Sequence, residues 1–78
     1  MKLSNKQNEL LKKVTSVEKR RDVRNDMKSL IKEIESTEWI MEECKGVNRD
    51  LPIWDHWTNE INRKTNQLLE IERKLSDL

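Results

Sequence analysis

The sequence predicts an all-α protein. It reads as a helical hairpin, with one long helix over about residues 5–44, a corner at 45–51 and a second helix over about 52–78. The hairpin is expected to form an oligomeric coiled coil or helical bundle. Three observations predict this class. The 78 residues include one Gly, one Pro and no Tyr or Phe, so turn formers and strand formers are both scarce. Apolar residues recur at alternating spacings of three and four, the period of one helix face. Finally, neither Pro nor Gly interrupts the chain from Asn5 to Cys44, whereas Gly46 and Pro52 punctuate the stretch that follows.

The first helix begins after Ser4, whose hydroxyl can accept from an unpaired amide of the first turn. Its apolar positions start as Leu10, Val14 and Val17, then resume as Val23, Met27, Leu30, Ile34, Thr37, Met41 and Cys44. Val17 and Val23 occupy equivalent heptad positions but stand six residues apart, not seven. The sequence therefore places a one-residue slip at Lys19-Arg20-Arg21-Asp22, where the helix must shift its seam. Before the slip the apolar stripe is thin; after it, Ile31, Trp39 and Ile40 widen it.

Lys45-Gly46-Val47-Asn48 reads as the stop. Gly46 can take the left-handed conformation that closes a helix, and Lys45 suits the negative end of the dipole. Asp50 is the expected cap of the second helix, and Pro52 fits a first turn where no amide hydrogen is needed. From there the heptad is the cleanest in the chain: Trp54, Trp57, Ile61, Lys64, Leu68, Ile71, Leu75 and Leu78, with Leu69 alongside. Lys64 is its one polar member, a residue type that at such a site fixes register.

At ~1.5 Å per residue the first helix would be about 60 Å long and the second nearly 40 Å. The return helix would then leave residues 5–18 as an overhang carrying one apolar stripe. A single 78-residue domain with 33% apolar residues also has a thin core. Cys44 is alone, so no internal disulfide can compensate. Self-association, with a dimer favoured, is the expected remedy; a different coiled-coil protein could take the same place.

Residues 49–57, RDLPIWDHW, hold the only Pro, the only His and two of the three Trp. An antiparallel return brings Trp39, Trp54 and Trp57 to one end, where they read as an aromatic plug or, alternatively, as an anchor for a partner. His56 is expected to face solvent beside Glu60. No Ser-His-Asp or Cys-His spacing is present, and one Gly cannot build a phosphate-binding loop. The expectation is a non-enzymatic protein with no metal, cofactor, small-molecule substrate or membrane span. An intracellular site, cytoplasmic or nuclear, fits the lone cysteine and the polar N-terminus.

Charge is unevenly distributed. Residues 1–24 carry eight Lys or Arg against three acids, a net of +5. Residues 25–60 carry four against nine, a net of −5. Two chains packed antiparallel would set each basic segment along an acidic one, which favours an antiparallel homodimer. The main alternative is nucleic-acid binding through Lys12, Lys13, Lys19, Arg20, Arg21 and Arg24. No aromatic residue lies in that segment to stack on bases.

Overall fold

The computed structural model of the chain describes residues 3–46 and 49–78. Among these the fold is all-helical: α1 spans Asn5–Leu11, α2 Val17–Glu43 and α3 Pro52–Ser76. α2 and α3 form a hairpin. α1 packs against both, at the end away from the corner. The result is a rod of 48 × 21 × 18 Å.

The continuous helix expected over 5–44 is replaced by two helices joined at residues 12–16. Local chemistry explains the break. Ser4 and Gln7 form a reciprocal capping box at the start of α1, with N–H to O distances of 2.9 and 3.1 Å. Ser16 then starts α2, its Oγ accepting from the Lys19 amide at 3.4 Å. Between them, Val14 and Thr15 are β-branched and lose side-chain freedom in a helix. The last turn of α1 tightens through Lys13 N–H to the Leu10 carbonyl and Val14 N–H to the Leu11 carbonyl. The Arg20 guanidinium closes the turn, donating from Nε and Nη2 to the Val14 carbonyl at 3.0 and 2.7 Å.

Magnitudes favour the break. Straightening the turn would recover a few helical hydrogen bonds, each contributing a net ~0.5–1.5 kcal/mol. Folding back buries Leu3, Leu10, Leu11 and Val14 against Met27 and Leu75, at ~1.5–3 kcal/mol per side chain. Leu11 is 1% exposed and Met27 fully enclosed. Gln7 and Lys13 add polar ties to α3, Gln7 Nε2 reaching Glu72 Oε1 at 3.0 Å and Lys13 Nζ the Ser76 carbonyl at 3.2 Å. The apolar stripe of residues 10–14 is thus covered by its own chain, and no 5–18 overhang exists.

Other expectations are corrected at the same points. Val17 is not a core residue but 73% exposed. In α2 it stands about 80° round from Met27 at ~100° per residue, and the break at 12–16 separates it from Leu10 and Val14. The two registers are separated by the break at 12–16 rather than at Lys19-Arg20-Arg21-Asp22, through which α2 runs as one helix. At the corner, α2 ends through Cys44, whose amide donates to the Ile40 carbonyl at 3.0 Å. Gly46 does not adopt the left-handed conformation, and Val47 and Asn48 lie outside the described residues. Leu51, not Asp50, occupies the N-cap of α3, with no side-chain cap. Pro52 in the first turn removes one amide that would otherwise need a partner.

Candidate interaction surface

The α2–α3 contact is lined by the three-four pattern of both helices. Met27, Trp54 and Leu75 are buried; Val23, Leu30, Ile34, Met41, Trp57, Ile61, Leu68 and Ile71 are half-buried. Two helices alone cannot enclose such a stripe, and α1 covers only the end that holds Leu10, Val14 and Leu75. Leu78, the last member of the pattern, is exposed.

Lys64 sits mid-seam with its side chain 17% exposed, and its ammonium lies 3.3 Å from Glu33 on α2 and 3.5 Å from Glu60 on α3. A one-turn slide of either helix would separate Lys64 from Glu33, so the pair marks the hairpin register. Glu60 also accepts from Arg63 at 2.8 Å. The bonded Arg63 guanidinium, with Lys64 adding to it, holds the Glu60 carboxyl below its ordinary value of 4.5. These partners replace the expected His56–Glu60 pair, and His56 faces solvent. Nearly three turns further on, Arg73 bonds Glu70 and lowers its carboxyl, while Glu70 raises the Arg73 guanidinium.

An open groove of about 670 Å³ runs between α2 and α3, lined in part by Asp26, Leu30, Arg63, Gln67, Glu70 and Ile71. On the α3 wheel, Arg63, Gln67 and Glu70 stand on one flank of the Leu68–Ile71–Leu75 stripe. Glu72, tied to Gln7 of α1, stands on the other. So α1 covers one face of the hairpin and leaves the groove open on the opposite face. Its floor is apolar and its rim carries both signs of charge.

At the corner end the expected three-indole plug contains two. Trp54 and Trp57 pack edge to face with ring centroids 5.1 Å apart at 87°. The Arg49 guanidinium stands 5.2 Å over the Trp54 ring. Trp39 stays 65% exposed beside Ile40, on the outer side of α2. Of the two sequence readings, then, Trp54 and Trp57 fall to packing, and Trp39 alone is exposed as an anchor requires.

The basic residues are divided in their use. Arg20 closes the α1–α2 turn, Lys13 caps α3, and Lys12 pairs with Glu9 at 3.1 Å. Lys13 and Lys19 also line, with Lys74, a shallow recess of about 440 Å³ that contains Asp22 and Val23. Sequence reasoning missed Leu3, Leu11 and Gln7 as parts of the core. The signal was present: Leu3, Gln7, Leu10, Leu11 and Val14 share one helical face, and Thr15-Ser16-Val17-Glu18 has the residue types of a helix start.

Among the described residues, no group of three His, Cys, Asp or Glu is placed to hold a metal ion. No helix among the described residues is long and apolar enough to cross a membrane. Comparisons with family models, curated proteins and solved structures find no match.

Proposed function

We propose that the chain is a non-enzymatic self-association module, a helical hairpin that pairs with a second copy of itself. The observation that carries this reading is surface. The chain exposes 5930 Å², whereas a compact monomer of 9.4 kDa should expose about 5,000 Å². The excess of about 900 Å² matches one side of a standard protein interface, ~800 Å². It arises from the rod shape and from the half-covered α2–α3 stripe. The antiparallel arrangement of two long first helices has lost its basis, because α1 folds back. Charge polarity survives: α1 and the start of α2 form a basic end, and the corner end is acidic. Sedimentation equilibrium on the isolated chain tests the reading, which expects a dimer.

A second reading, nucleic-acid binding at the basic end, draws support from the clustering of Lys13, Lys19 and Lys74 around one recess. Salt-sensitive binding to duplex DNA or RNA, lost on Lys13→Ala/Lys19→Ala, would favour it over self-association. Under a third reading a different helical protein fills the groove, and the isolated chain would then be monomeric.

A further inference from the structure

Resting on the self-association reading, we infer that the open α2–α3 groove is the pairing face. The second copy lies on it antiparallel, with Arg63 of each copy meeting Glu70 of the other. The α3 sequence carries this orientation. Asn66 and Gln67 are its centre; Arg63 and Glu70 stand symmetrically about them, and so do Glu60 and Arg73. Reversing α3 about that centre exchanges position 63 with 70 and 60 with 73. Each exchange replaces a charge by its opposite.

This antisymmetry has a direct consequence under two-fold symmetry, where the same patch serves both copies. When hairpins stack groove to groove with their helices antiparallel, the two-fold axis crosses α3 near Asn66–Gln67. Arg63 then faces Glu70 of the other copy, and Glu70 faces its Arg63, two opposite-charge contacts along one pair of helices. With the two-fold running along the rod, α3 would instead lie on α2 of the other copy, and Arg63 would not meet Glu70. Arg63 and Glu70 share one heptad position, so they lie on the same side of α3.

Two further features agree. Arg63 and Glu70 line the groove over its apolar floor of Leu30 and Ile71, so the charges flank a surface with apolar area to bury. Both are exposed, at 59% and 45% of the side chain, and each bonds only its own i,i+3 neighbour, so both can reach outward. The polarity of the whole rod points the same way. Antiparallel stacking sets the basic start of α2 along the acidic stretch of Glu38, Glu42 and Glu43. The product is a four-helix layer pair, α2 on α2 and α3 on α3, with the two α1 helices on the outer faces.

The test is a charge-swap mixing experiment read by sedimentation equilibrium, with helicity followed by circular dichroism. Arg63→Glu places Glu opposite Glu70 twice per dimer, and Glu70→Arg places Arg opposite Arg63 twice. Each single variant should keep its helicity and dissociate about tenfold more readily than wild type, from several surface-pair terms acting together. Mixed in equal amounts, the two variants should form a heterodimer about as tight as the wild-type dimer. Mixing changes no intrachain contact, so recovery cannot come from repaired folding of either chain. A wild-type monomer would overturn self-association itself. A wild-type dimer that neither single variant weakens would overturn this pairing face alone. Weakened single variants that fail to recover on mixing would overturn the antiparallel orientation.

Discussion

Lys64 shows how a single polar residue in an apolar seam is accommodated. Its stem lies between α2 and α3 while the ammonium reaches Glu33 and Glu60. Replacing such a partly buried ion pair by an apolar side chain is often neutral or stabilising, whereas removing one partner is costly. Lys64→Leu is therefore expected to raise the thermal midpoint, by about 4–8 °C for each kcal/mol gained in a domain of this size. Loss of the Glu33 contact should also relax the register of the hairpin. Melting followed by circular dichroism checks the first effect; a lowered midpoint would show that the ion pairs outweigh the seam. The carboxyls of Glu60 and Glu70 give a second expectation at this scale. Both are lowered in the folded chain by their arginine partners. Their contribution to stability is complete above the ordinary value of 4.5 and is lost as pH falls below it through the folded values. Urea midpoints should thus fall as pH drops below 4.5. Arg63→Gln should shrink that acid-side loss. Legibility at this scale followed locality. Lys64 stood out because its neighbours in the heptad are apolar. The exposure of Val17 could not be read from Leu10 and Val14, because the break at 12–16 removes it from their stripe.

At the scale of elements, α1 decides whether the chain has a closed core. The hairpin was legible because α2 and α3 keep one period each over many residues and because Pro52 marks a helix start. The division of residues 5–44 was not, since no Gly or Pro announces it. The break comes from two serine caps, a β-branched pair and burial that depends on Met27 and Leu75, which are distant in sequence. Leu11, 1% exposed, is the key of that contact. Leu11→Ala should cost ~2–5 kcal/mol, the range for an enclosed leucine. Amide exchange should show α1 losing protection first, with the α2–α3 amides keeping more of theirs. Equal loss across all three helices would mean that α1 and the hairpin open as one unit. In the hairpin itself, Leu68→Asp or Ile71→Asp places an unpaired carboxylate in the seam. The cost, several kcal/mol, approaches the whole stability of a small domain, so helicity should largely disappear. Wild-type melting in either variant would contradict the seam described here.

The molecule as a whole is a charged rod with one covered face and one open face. The sequence disclosed its charge polarity but not the surface on which the proposed self-association rests. An overhang of residues 5–18 was the expected reason; the chain itself covers that stripe, and the open groove takes its place. Because the proposed pairing draws on exposed charge as well as apolar area, raising ionic strength should weaken the dimer modestly without dissociating it. Complete dissociation by salt would assign the interface to charge alone. The most direct test of self-association is the mass of the isolated wild-type chain by sedimentation equilibrium at micromolar concentration and near-physiological salt. The account predicts a single species of twice 9.4 kDa. A well-folded helical species of 9.4 kDa across that range would contradict it.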